Sequence, residues 1–256
     1  MEWIDDAIVL SARRYGESAA LVMLLSRDHG RHAGLVRGYG GRRNRGVLTP
    51  GNGVRARWRG RVADMLGSFT LEPTSAVAAG LLGEPDRLAA LAAACAILES
   101  ALAEREPHPR AFDDLAALVA ALASERQWAE AYVIWEVRLL AELGFGLDLT
   151  RCAVTGAGGD LAYVSPRTGR AVSLVAAGPW RDRLLALPAF LVAGGAAASD
   201  EEVLAGLTLT AHFLQRHVYG ALTNGMSRSP SRPPELPPAR RLMMDRIAGR
   251  VSRAGC

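Results

Sequence analysis

The sequence predicts an α+β protein in two unequal parts: a small N-terminal β-barrel over residues 1–80 and a mainly α-helical domain over 81–256 that carries a small inserted β-hairpin. Three observations predict it. Short apolar runs broken by turn residues fill the first eighty positions, helical alanine and leucine periodicity begins at Pro85, and residues 151–180 return to Gly, Thr and Ser turns. With 256 residues, half of them hydrophobic, the chain can bury a substantial core.

The barrel strands are five runs: Ile4 to Leu10, Ala19 to Ser26, His32 to Arg37, Val54 to Val62 and Met65 to Leu71. Asp28, His29 and Gly30 punctuate a hairpin between the second and third, with Gly30 suited to a positive φ. In the helical part, Leu88, Leu91, Ala92, Cys95 and Leu98 repeat at i, i+3, i+4, i+7 spacing, as do Leu115, Leu118, Val119 and Leu122. Asp113 and Asp114 fall at the start of that second helix, where the macrodipole favours them. A third helix runs from Trp128 to Leu143 and stops at Gly144, a C-cap. The inserted hairpin pairs Ala162–Ser165 with Ala171–Val175. Helix resumes at Asp200, capped by Ser199 or Asp200 with Glu201 and Glu202 in its first turn, and ends near Gly225. Five prolines between Ser227 and Pro238 make an extended connector before a short basic helix, Ala239 to Arg253.

All thirty basic residues are arginine, which removes every mechanism that needs a P-loop, Schiff-base or general-base lysine. Genomic GC bias explains the choice of Arg over Lys, so the information lies in where the charge sits. Residues 1–61 hold twelve Arg against five acids, residues 82–150 five against twelve, and residues 228–256 seven against two. Such asymmetry reads as a polyanion-facing end and a neutral or acidic, protein-facing middle. The acidic N-terminus and the absence of a long apolar run predict a soluble, cytoplasmic protein with no membrane contact. Cys95, Cys152 and Cys256 are odd in number and scattered, so neither a disulfide framework nor a metal site is encoded.

Residues 37–61, RGYGGRRNRGVLTPGNGVRARWRGR, are the informative passage. In a strand, the period of two puts Arg55, Arg57, Arg59 and Arg61 on one face and Val54, Ala56, Trp58 and Val62 on the other. In the loop before it, glycines let backbone N–H groups approach a ligand, while Arg42, Arg43 and Arg45 offer fork-shaped donors to phosphate. Arg37 precedes that loop and Tyr39 within it could stack on a base, whereas Trp58 is in phase with the core. A solvated face is the alternative for any single charge run; ten Arg against one acid over 27–61 favours a polyanion site. Arg240 and Arg241 are a second candidate polyanion contact, with a solvated C-terminal helix as the alternative.

Elsewhere the chain offers no catalyst. His29 and His32 lack a carboxylate or cysteine cluster, His212 and His217 face different ways on a helix, and Gly156, Gly158 and Gly159 form a turn rather than a dinucleotide site. No nucleophile elbow, zincin motif or paired carboxylate appears, and no cofactor is implied.

The order of a basic barrel, a GLVRGYGGRRNRG loop, an alanine-rich helical domain and an RCAVTG turn with AYVSPRTGRAVS resembles the bacterial recombination mediator family RecO over nearly the full chain. That resemblance implies an N-terminal OB-fold and a non-enzymatic mediator that binds single- and double-stranded DNA and anneals complementary strands. It also implies help in loading RecA onto DNA coated by single-strand-binding protein, with RecR as partner. The family's DNA-binding surface maps onto Arg37, Arg42, Arg43, Arg45, Arg55, Arg57 and Arg59, and the pocket for the single-strand-binding protein's acidic tail lies unassigned within 82–225. Some members carry a four-cysteine zinc module near 152–176; here Cys152 remains while Thr155 takes the second position, so the hairpin is expected to be a remnant without metal. Two other functions stay open: an RNA-binding barrel, since only 2′-OH contacts separate RNA from DNA, and a protein-interaction scaffold whose helical part is the working surface.

Overall fold

The computed structural model describes residues 1–39, 41, 46–62, 66–192, 197–220 and 235–254. The chain divides into two compact units, Met1–Glu125 with Pro237–Arg240 and Arg126–Leu236 with Arg241–Cys256.

In the first unit, β1 (Glu2–Tyr15), β2 (Ala19–Ser26), β3 (Gly30–Arg37), β4 (Gly53–Arg59) and β5 (Gly67–Pro73) close a barrel in the order β1-β2-β3-β5-β4, with β4 returning to β1. Every pairing is antiparallel except β3 with β5, which is parallel over only Gly34↔Gly67 and Leu35↔Ser68. This is the OB-fold arrangement. Alternation fills it: Ala7 and Val9, Ala20, Val22 and Leu24, Val54, Ala56 and Trp58, with Val36 and Phe69, make one core. Gly30 takes φ +66° at the β2–β3 turn, and a Cβ there would strike the Glu106 carbonyl.

Strand β4 ends at Arg59, earlier than the alternation predicts, so Arg61 and Val62 lie past it and both are exposed. Gly60 and Gly67 sit against the Trp58 indole, and a side chain at either would collide with the ring. The strand expected from Met65 begins at Gly67, and residues 63–65 lie outside the described ones.

Two helices, α1 (Pro85–Ala101) and α2 (Pro109–Ser124), open with proline, whose missing N–H costs nothing there. They belong to the barrel's compact unit. Cys95 Sγ reaches Val9 O at 3.8 Å, and Ser11 Oγ donates to Glu99 at 2.9 Å, so α1 packs on β1. The boundary between the two compact units falls at 125/126, so both helices lie on the barrel's side of it. Because α2 begins at Pro109, Asp113 and Asp114 sit beyond its first turn, and Asp113 instead meets Arg27 at 3.0 Å.

The second unit is built on α3 (Trp128–Glu142) and α4 (Asp200–Phe213). They pack closely at Gly206, where a Cβ would meet Val133, and the buried Glu136 accepts a hydrogen bond from Thr210 Oγ1. Ser199 and Glu202 form a reciprocal capping box at the start of α4, and Gly144 follows α3 with φ +85°. The inserted hairpin, β6 (Leu161–Val164) with β7 (Ala171–Ser173), gains a third strand, β8 (Leu185–Ala186), on the other side of β6. A π-helical segment, Leu214–Tyr219, continues α4. The connector expected over 227–238 lies outside the described residues as far as 234, and Pro238 opens the closing helix α5 (Pro238–Ala254).

Candidate nucleic-acid interface

Strand β4 presents Arg55, Arg57 and Arg59 on the outside of the barrel and Val54, Ala56 and Trp58 within, as strict alternation requires. The register fixes what stands beside those arginines. On β1 the cross-strand partners are Asp6, Ile4 and Glu2, and on β5 they are Glu72, Thr70 and Ser68. Arg55 Nη1 lies 2.9 Å from Asp6, while Glu2 receives both Arg57 Nε at 3.5 Å and Arg59 Nε at 2.9 Å. The hydrogen bond from Arg59 holds the Glu2 carboxyl below its ordinary range, and the bond to Asp6 raises Arg55. The row of cations exists, and it is matched by a row of acids.

Cationic surface opens where the barrel pairing is weakest. Beyond Leu35, β3 and β5 separate into a groove of about 460 Å³ bordered by Arg37, Arg59, Ser68 and Thr70. It runs into a wider bowl of about 730 Å³ bordered by Glu2, Arg59 and Arg61, and the two share Leu35, Arg59 and Ser68. The structure thus brings Arg37, Arg59 and Arg61 to one track with Arg57 beside it. Arg55 stands four residues from Arg59, about 13 Å along the strand. Arg42, Arg43 and Arg45 lie outside the described residues.

Tyr39 is half-buried, packs against the barrel core and donates its backbone N–H to Ser18 O at 3.0 Å. One expectation changes. Arg240 is completely buried and offers no surface to a phosphate; Arg241 is exposed but engages Glu235 at 2.6 Å. Helix α5 turns its polar and apolar faces so that these adjacent residues part company.

Sequence reasoning passed over the inward residues of β1. Trp3 and Asp5 alternate in phase with Ala7 and Val9, and the register sets Trp3 opposite Trp58. Asp5 accepts hydrogen bonds from Ser26 Oγ and from the N–H groups of Asp6 and Asp28, and His29 Nδ1 lies 3.4 Å away. Burial works against the charge on Asp5, but these donors outweigh it and lower its pKa. Ser and His both engage the Asp here, so no base stands over the hydroxyl, and Ser26 is fully buried. The cluster ties down the β2–β3 turn.

Zinc does not fit the hairpin remnant. Cys152 is buried, its Sγ accepts the Ser173 N–H at 3.3 Å, and hydrogen-bond donors surround it instead of further thiols. Burial opposes its thiolate, yet bonds from Thr155 and Ser173 bring the thiol down to about 6. Among the described residues no group of three or more His, Cys, Asp or Glu could hold a metal ion.

Fold and surface together define a class: an OB-type barrel with a cationic track on its outer face, joined to a helical region without a catalytic constellation among the described residues. The family model described as Recombination protein O N terminal matches residues 1–76, and that described as Recombination protein O C terminal matches 82–225. The chain belongs to the RecO family of DNA repair proteins. It is 57% identical over 248 residues to DNA repair protein RecO of Rhodospirillum centenum, covering 96% of this chain and 94% of that one. It is 50% identical over 238 residues to DNA repair protein RecO of Rhodospirillum rubrum, covering 91% and 94%. Against DNA repair protein RecO of Phenylobacterium zucineum it is 49% identical over 255 residues, covering 98% and 100%.

Proposed function

We propose that the chain is a non-enzymatic mediator of DNA repair and recombination that binds single- and double-stranded DNA through the barrel, anneals complementary strands and assists RecA loading on DNA coated by single-strand-binding protein. RecR and the acidic tail of that protein are its proposed partners, in the cytoplasm at the nucleoid. The observation that carries this reading is the Arg37–Arg59–Arg61 track on the OB-type barrel. Annealing requires that two polyanions be screened while their bases stay free to pair, and arginine contacts to phosphate do this without reading sequence.

Strand annealing tests it. Purified protein is mixed with two complementary labelled strands, without nucleotide or metal, and duplex formation is followed across a salt series. Acceleration that fades with salt supports the mediator. Absence of acceleration, with no binding to either strand, overturns it in favour of a protein scaffold. Competition with a matched RNA oligomer decides between DNA and RNA.

A further inference from the structure

We propose that a cavity walled by Trp3, His29, His32 and Trp58 takes a single unpaired nucleobase from a strand whose phosphates lie along the arginine track. This rests on the nucleic-acid function above and adds a site for the base itself.

The cavity is about 540 Å³, within the range of small-molecule pockets. Its walls are flat. Trp3 stacks on His29 at 4.2 Å with an interplanar angle of 8°, and lies 6.1 Å from Trp58 at 14°. Trp3 and His29 are only half-buried, so this stack offers aromatic surface to an entering ring, the usual platform for single-stranded nucleic acid. His32 stands edge-on to both tryptophans, at 85° to Trp3 and 76° to Trp58. It is 5% exposed, and neither ring nitrogen has a hydrogen-bond partner. A buried polar group left in that condition is costly, so a polar occupant belongs beside it. Burial, then the nearby Arg105 guanidinium, push the imidazole down to about 4. Neutral at working pH, it has one donor and one acceptor nitrogen, and the edge of a base offers both complements.

Charge selects the occupant. Glu2 and Asp28 line the cavity and offset Arg105 and the Met1 ammonium, so no cationic excess draws a phosphate or a carboxylate inside. A neutral ring suits it. Position links it to the track, because Met1 and Glu2 line both this cavity and the bowl that holds Arg59 and Arg61. Phosphates on the arginines and one base in the aromatic cavity would then belong to the same strand.

The test is fluorescence anisotropy of the full-length protein with a deoxythymidine oligomer and an abasic oligomer of the same length and charge, across a salt series. The abasic strand should bind about tenfold more weakly, the effect of one stacked base, with an unchanged salt slope. His32→Phe, which fills the cavity and removes the unpartnered nitrogens, and Trp3→Ala should each shrink that difference to less than about twofold, again with the slope unchanged. Should Trp3→Ala fail to fold, His29→Ala carries the same expectation. Equal, salt-dependent binding of the two oligomers, as expected if only water fills the cavity, would overturn the base site and leave the arginine track standing. A difference that survives His32→Phe would overturn it equally. No salt-dependent binding of either oligomer would overturn both.

Discussion

Arg55 and Arg59 occupy equivalent outward positions on one strand, yet the structure gives them different surroundings. Arg59 borders the groove and the bowl, while Arg55 faces Asp6 at 2.9 Å, about 13 Å away along β4. Each phosphate contact on a single strand contributes about 0.7 to the slope of log K against log salt, so on the proposed function the three track arginines together should set a slope of roughly −2. Arg59→Ala should flatten that slope by about 0.7, so over a fourfold rise in salt the variant loses about 2.5-fold less affinity than the parent. Arg55→Ala should leave the slope nearly unchanged, because Arg55 borders neither the groove nor the bowl. Asp6→Asn releases Arg55 and should steepen the slope by up to about 0.7. Anisotropy titrations of one labelled oligomer at several salt concentrations measure all three. Equal flattening by Arg55→Ala and Arg59→Ala, with no response to Asp6→Asn, would show that the register-matched acids do not govern the surface.

Two further outcomes follow from the interior. His32 titrates at about 4 when folded against 6.5 when exposed, so the unfolded chain takes up the proton first. Stability from this group is full above pH 6.5 and declines as pH falls toward 4, by about 3 kcal/mol in all; His32→Phe should remove most of the decline in urea midpoints, leaving the smaller part due to His217, whose pKa burial also lowers, and an undiminished decline would refute the assignment. Asp5, held low, adds its own loss only at lower pH. Gly30→Ala forces a side chain to φ +66° against the Glu106 carbonyl and should cost about 2 kcal/mol or more, read as a lowered melting temperature; an unchanged one would refute the close approach.

The barrel was legible because its strands alternate, and alternation reports which side chains share a face. It does not report which strand lies alongside. The arginine row on β4 could be read from Val54 to Arg59, but its neutralisation depends on β1 pairing with β4 across about fifty residues of sequence, with Glu2 opposite Arg59. The same register makes Trp3 and Trp58 neighbours, and so assembles a cavity that no local pattern contains. Likewise, the apolar stripe of α1 was evident, but not that Cys95 and Glu99 would meet β1. Strand β8 is two residues long, too short for any period to show. Ser199 and Gly144 were readable because caps are local.

The paired arginines also bear on how such a protein could hold DNA without keeping it. Several unpaired guanidiniums on one strand face would repel one another in the free protein, and the acids at Glu2 and Asp6 relieve that cost. A phosphate arriving at Arg57 or Arg59 must therefore displace a carboxylate partner, so each contact exchanges one ion pair for another and yields little net free energy. Affinity then comes from the number of contacts and from released counterions, both sensitive to salt and to the length of strand engaged. On the proposed function, a surface of that kind would grip an extended single strand through many weak exchanges and let go when base pairing competes for it, which is the balance that annealing demands.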